Sequence, residues 1–452
     1  MATSSEHAAL PAAWQPWQAT RTDPWDRRKA AHLLRRAGFA ATPGELQQAV
    51  ALGADAVIDL LLNPPWEEVQ EFGTCVLPNG EMLHVSRLLP DQRAAWLFRL
   101  VHGGAPLREK LALFWHDHFS VGNKYGSNRS HMLPHVNRLR RHAFGTVRDL
   151  LCSLLTDPAM LVWLDNWSNG RPERGVPQLN LNFSRELFEL YTMGVGGGYT
   201  QADVEAAAAC LSGHGLVMGL TTNATVYRDS WHVAGDKRVL GQPVRAKGGA
   251  AEAEAMIGIL LDWPGTANFL ASKLVRWFVT DPAPDELLRP LASWWRTRDL
   301  SVRALLSVLL RSRLFFSERV IRRAVKDPVE FAVGALRQTG PARVGSYRAL
   351  GTWIARMGWR LLEYFTPAGH AQGMAWLSMQ TLIMRANFAH ELVAGGGEVR
   401  AVLDPELLQS RGEWFERFVD DEASPGLVQA CRELRPHEAL RVLLASPEYQ
   451  VK

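Results

Sequence analysis

From Asp26 onward, apolar residues recur at three- and four-residue intervals in short segments that each stop at Gly, Pro or Asn, and this pattern leaves little room for anything but packed helices. Thr42-Pro43-Gly44-Glu45 has the outline of a capping box with proline at the first helical position, and it opens a helix that Gly53 closes. A further helix over 55–62 is stopped by Asn63-Pro64-Pro65. The same periodicity predicts helices over 106–120, two within 131–157, and others over 180–193, 200–211, 252–262, 264–279, 284–296, 299–312, 318–338, 346–363, 376–393, 404–420 and 424–445. Alternating, β-like residues occur within 216–248, around 217–228 and 238–244, where a small hairpin is expected. No solenoid-type repeat emerges. The fold class is therefore all-α: a large multi-helix body with one small β-hairpin insertion around 216–248. Residues 1–25, rich in Ala, Pro and Trp, read as a partly ordered lead-in to a single helical domain over 26–452, with 26–250 and 251–452 as subdomains.

Composition narrows the function classes. Hydrophobic residues make up 47% of the 452, enough for a sizeable core, and the 21% that are charged argue against disorder. A net charge of +4 over 50 basic and 46 acidic residues is not that of a dedicated nucleic-acid binder. The local basic clusters, Arg138/Arg140/Arg141/His142 and Arg319/Arg322/Arg323, fall at helical spacing and read as solvated helix faces. Cys75, Cys152, Cys210 and Cys431 lie far apart, which speaks against a disulfide framework or structural zinc site. No stretch approaches the apolar length of a membrane span, and the N-terminus has no secretory pattern, so a cytoplasmic protein without a membrane partner is expected.

Polar residues crowd into 115–241. In Trp115-His116-Asp117-His118-Phe119 the two histidines stand at i and i+2 and cannot share one helix face, so His118 is the candidate general base or lone metal ligand. The bland alternative makes both of them helix-end residues bonded to backbone carbonyls. Asp165, in Leu164-Asp165-Asn166-Trp167, precedes a long Gly/Pro/Arg-rich loop of the kind that forms lids. Asn182, Arg185, Glu186 and Glu189 form an i, i+3, i+4, i+7 stripe, which is either a structural ion network or an acid/base pair with its arginine. Beyond them, Gly197-Gly198-Tyr199-Thr200 leads into a helix N-terminus suited to an anion. His232 and Lys237 sit beside the expected hairpin, with a mixed-charge surface as the plain account.

At these residues the chain resembles the bacterial family catalogued as domain of unknown function 1800 (DUF1800). The matching pattern comprises Leu33-Leu34-Arg35-Arg36-Ala37-Gly38-Phe39, the Trp115–Phe119 motif, Pro158-Ala159-Met160 leading to Leu164-Asp165-Asn166, and Asn182 through Arg185-Glu186-Leu187. It continues through Gly198-Tyr199-Thr200-Gln201, Lys237 with Leu240-Gly241, Lys326-Asp327-Pro328-Val329-Glu330-Phe331 and Pro367-Ala368-Gly369, and so covers nearly the whole chain. The resemblance implies an α-helical fold and a sulfatase-like protein encoded nearby, and it implies no reaction. The chain departs from the family pattern at Tyr191, where histidine is common, at His214 and His370, where tryptophan is common, at Leu181, where an acidic residue is common, and in lacking an export signal.

Two functions follow. In the first, an enzyme acts on a polar, anionic or carbohydrate-like small molecule in one pocket. His118, Glu186 and Asp165 would be its catalytic groups, and Arg185, Asn182, Glu189, Tyr199, His232 and Lys237 would bind substrate. A divalent metal held by His118 and carboxylates is a variant of this reading. In the second, the chain is a non-catalytic binding or assembly protein, and the same charges form a buried network that holds the helices in register. An open cleft lined by these residues would favour the first, and a closed network the second.

Overall fold

The computed structural model describes residues 10–64, 73–76, 82–124, 129–173, 175–217, 224–246, 248–340, 343–394, 397–403 and 405–452. Among them are 21 α-helices, from Arg27–Arg36 to Pro436–Ala445, whose apolar faces meet in one hydrophobic cluster reaching from Leu10 to Tyr449. No described helix is long and apolar enough to cross a membrane. Local signals set many helix ends as the sequence predicts. Thr42 accepts from Glu45 N while the Glu45 carboxylate takes Thr42 N at 2.8 Å, the reciprocal capping box of Pro43–Leu52. The lead-in is strapped down by burial: Trp14 donates its Nε1–H to Leu287 O at 2.9 Å, and Trp17 packs on Phe316.

Strand is short and scattered over five two-stranded antiparallel ladders among the described residues. Two lie in the expected region, His214–Val217 with Ala224–Tyr227 and Arg238–Val239 with Gln242–Pro243. The other three pair Gly73–Val76 with Met82–Val85, Pro172–Glu173 with Val176–Pro177, and Arg343–Val344 with Ala401–Val402. Segments of two to four residues are too short to display an alternating pattern, so nothing in the sequence announces them.

Several helices differ from their predicted extent. Leu89–His102 is a full helix beyond those that the periodicity predicts. The stretch predicted as helical from 346 to 363 stops at Arg356, and those over 404–420 and 424–445 each break in two, the latter at Pro436. The helix expected from 318 begins only at Pro328, because Asp327 caps it by accepting from Val329 N and Glu330 N, both at 2.8 Å. Residues 318–322 are turns instead, with Arg322 in the left-handed region at φ 55°. Arg322 reaches a buried carboxylate at Asp420, 3.4 Å away, which places it inside rather than on a solvated face, while Arg319 and Arg323 are exposed.

Two helices position the site. Pro106–Phe119 runs through the core and ends at Ser120, whose φ of 47° turns the chain out of the helix. Pro264–Phe278 passes beside its end. Gly369, at φ 73°, lets the 367–372 segment press against that end, since a Cβ there would lie 2.6 Å from Asp117 O.

Candidate functional site

Successive helical residues point about 100° apart, and His116, Asp117 and His118 accordingly leave the helix end in three directions. His116 enters the core, edge-on to Trp96 at 5.3 Å, and its Nε2 accepts from Leu362 N at 3.3 Å. Asp117 gathers donors from the neighbouring segment. Its Oδ1 accepts from the Tyr364 hydroxyl (3.0 Å), His370 N (3.1 Å) and His370 Nδ1 (2.8 Å), and its Oδ2 from Gln372 Nε2 (3.0 Å). His118 faces helix Pro264–Phe278. Its Nε2–H donates to Tyr191 O at 3.2 Å, which leaves Nδ1 as an acceptor, and Lys273 Nζ donates to it at 3.1 Å. Among the described residues, no group of three or more His, Cys, Asp or Glu is arranged to hold a metal ion.

The carbonyls that hold this pair are available because of a local irregularity. After the short α-helix Asn182–Glu186 the chain widens into a π-helix over Leu187–Thr192. Met193 N and Gly194 N both donate to Phe188 O at 3.0 Å, and Gly194, at φ 84°, ends the helix. An α-helix would send Gly194 N to Leu190 O. Here Leu190 O accepts from Lys273 Nζ at 3.2 Å, and Tyr191 O accepts from His118.

Lys273 and His118 lie on the wall of a cavity of about 610 Å³, with Phe114 and Trp277 alongside them and Arg319 and Arg323 on its exposed rim. Burial pushes the Lys273 ammonium down to about 8, with Asp117 pulling it up and Arg276 pushing it further down. Burial, and then the neighbouring Lys273 charge, hold His118 well below the ordinary imidazole range, so it is a neutral acceptor at physiological pH. His370, one of the departures from the family pattern, lines the same cavity with its ring 4.7 Å from Trp359 and 4.9 Å from Tyr364.

The other predicted residues occupy three further neighbourhoods. Asp165, at φ 58°, pairs with Lys124 at 2.5 Å and accepts from Asn182 Nδ2 at 3.3 Å, all of them partly solvated. Along the π-helical segment, Arg185 is exposed and Glu186 half-buried. Burial and the Glu189 carboxylate push Glu186 up to about 7, against the opposing pull of Arg185. Burial, and then the Glu189 charge, push the Tyr199 phenol up. Tyr191 joins this segment to the cavity, because Glu186 acts electrostatically on its phenol while its carbonyl holds His118. The helix start at Thr200 is not an open anion site: Asp203 takes Thr200 N at 2.8 Å and Leu240 N at 2.6 Å, so a carboxylate of the chain already sits there.

The fourth neighbourhood is a closed network. Lys237 Nζ lies 2.7 Å from Glu252 and His232 Nε2 lies 3.2 Å from it. Ser212 Oγ is 3.2 Å from His232 Nδ1, so serine, histidine and carboxylate stand in sequence as in a nucleophilic triad. Ser212 is fully buried, however, and its hydroxyl donates to Ala209 O and accepts from Val233 N, which leaves it no substrate to reach. His214, buried beside Tyr227 with its ring pushed down to about 4 by burial, belongs to the same structural patch.

The sequence singles out His118 of the residues that line this cavity, and gives no sign that Lys273, Asp117, Gln372, Arg319 and Arg323 line it too. Lys273 falls on an amphipathic helix where a lysine ordinarily reads as a solvated charge. One signal was available: only eight of the 50 basic residues are lysines, so each lysine marks a position where arginine was not used.

A family model described as Protein of unknown function (DUF1800) matches residues 32–451. No curated protein and no solved structure matches the chain.

Proposed function

The chain belongs to this DUF1800 family, and on that premise we propose that it acts on a small anionic organic molecule held in the cavity between helices Pro106–Phe119 and Pro264–Phe278. The Lys273–His118 contact on the cavity wall carries the reading. A lysine held 3.1 Å from a neutral imidazole, rather than against a carboxylate, is poor structural glue but apt for proton transfer near neutral pH. Arg319 and Arg323 on the rim supply guanidinium donors for a carboxylate or phosphate, and the Phe114 and Trp277 rings offer apolar surface to the rest of the ligand. Asp117, with four hydrogen bonds to its carboxylate, is a positioning residue that fixes the 364–372 wall.

The test is a panel of phosphorylated and carboxylated small molecules, read by melting midpoint for binding and by NMR for turnover, with sodium chloride at matched ionic strength as control. Anions that raise the midpoint of the native chain, with the rise lost in an Arg319→Ala/Arg323→Ala double variant, support the cavity. Absence of any such rise overturns it. Binding without turnover would favour the non-catalytic reading. At His232, Lys237 and Glu252 that reading has its own support, because their network is closed and ties the 238–243 ladder to helix Gly249–Asp262.

A further inference from the structure

We propose that Lys273 is a nucleophilic amine that condenses reversibly with the carbonyl carbon of an anionic aldehyde or ketone admitted to the cavity, forming an imine and releasing water. The inference rests on the cavity being an anion site and adds a covalent step to it.

The argument starts from how the chain uses lysine. An arginine cannot lose its proton in a protein, whereas a lysine in a low-dielectric site can, and only the free amine attacks a carbonyl. Of the eight lysines, Lys29 pairs with Asp23 (2.6 Å), Lys124 with Asp165 (2.5 Å) and Lys237 with Glu252 (2.7 Å). Lys110 and Lys452 share Glu330. Lys326 donates to Tyr449 O at 2.7 Å and lies over that ring. Lys247 lies outside the described residues. Lys273 lines the cavity, and among the described residues it forms no ion pair with a carboxylate. Two of its three ammonium hydrogens go to Leu190 O and His118 Nδ1, so loss of the third leaves a lone pair for the cavity. Its burial, which lowers the proton affinity, makes that loss accessible near neutral pH.

The step balances without an oxidant or reductant. The Nζ lone pair forms the N–C bond as the carbonyl π pair moves onto oxygen. His118 Nδ1, unprotonated at the start, takes a proton from that nitrogen and passes it to the oxygen. A proton from solvent then lets the carbinolamine hydroxyl leave as water as the nitrogen lone pair forms the C=N bond, and the iminium nitrogen so formed returns its proton to solvent. The net change is amine plus carbonyl to imine plus water.

The test uses the full chain with two anionic aldehydes, pyridoxal 5'-phosphate and glyoxylate, each followed by borohydride reduction and peptide mapping by mass spectrometry. The expected result is close to one label per chain on Lys273, suppressed by excess inorganic phosphate and lost in Lys273→Arg, which retains the charge. His118→Gln should slow labelling at saturating pyridoxal 5'-phosphate by about tenfold or more, and added imidazole should restore part of the rate. Labels spread over other lysines with Lys273 unmodified by either aldehyde would overturn the proposal. If pyridoxine 5'-phosphate, the corresponding alcohol, binds and is displaced by phosphate while Lys273 stays unlabelled, the imine falls and the anion cavity stands. If neither binding nor labelling occurs, both fall.

Discussion

Helix Pro106–Phe119 carries charge into the interior near both of its ends, and the two ends treat it in opposite ways. Near the start, Glu109 accepts from Arg140 at 2.8 Å and from Trp96 at 3.3 Å, and Lys110 meets Glu330, which also holds Lys452. Glu109, Lys110 and Glu330 each meet an opposite charge there. Against the upward pull of burial, Lys110 and Lys452 hold the Glu330 carboxyl far below its ordinary range. About two turns later, His118 and Lys273 meet with no carboxylate in direct contact among the described residues, and burial lowers the proton affinity of both. The Glu330 charge, matched by two lysines, stays ionised and stabilises the fold, although burial still pushes Lys452 down to about 7. An uncompensated charge costs stability and becomes titratable, which is what a reactive site requires.

The comparison breaks most visibly at Glu330. Glu330→Gln leaves Lys110 and Lys452 unmatched in a dry site and should cost about 3–5 kcal/mol in denaturant unfolding, whereas Lys273→Met should cost little or even stabilise. Comparable losses in the two variants would erase the distinction between the regions. The next largest effect is in pH dependence. Lys273 binds its proton less tightly folded, at about 8, than unfolded, near the ordinary 10.5. Its penalty is therefore fully present below about pH 8, and stability should rise as pH climbs from 8 towards 10.5. The gain is on the order of 2–3 kcal/mol and should be absent in Lys273→Met, as unfolding midpoints at both pH values would reveal. The groups facing it that modulate this are His118, Asp117 and Arg276.

Glu186 gives a smaller effect of opposite sign. Its carboxyl titrates at about 7 folded and near 4.5 unfolded, so it is protonated in the native state between those values and stability falls as pH rises through that window. Glu186→Gln should flatten this slope and leave the protein slightly more stable above pH 7, by less than about 1 kcal/mol given its half exposure. A large loss would mean that Glu186 serves a buried network after all. Smallest of all is Lys124→Met, which removes a partly solvated pair with Asp165 and should change stability by about 0–1 kcal/mol. A loss comparable to that of Glu330→Gln would move Asp165 into the closed class.

The sequence by itself determined the helical class, the capping box at Thr42, the helix over 106–120, and the divergence of His116 and His118. Each follows from rules that act within a few residues: periodicity, caps and the angle between successive side chains. It also singled out His118 as the histidine to follow. It did not reveal that Asp165, Glu186 and Lys237 stay out of the lining of the cavity that holds His118, nor that Arg322 turns inward to Asp420 while Arg319 and Arg323 face that cavity. Lys273 is 155 residues from His118 along the chain, and nothing near either residue encodes the other. Their meeting depends on how three elements pack: two helices crossing, and a π-helical turn that frees the carbonyls of Leu190 and Tyr191. Local pattern fixes which face of a helix is buried. Which buried charge finds a partner there, and which is left to titrate, is settled only when distant helices close on one another, because burial and pairing are properties of the assembled interior.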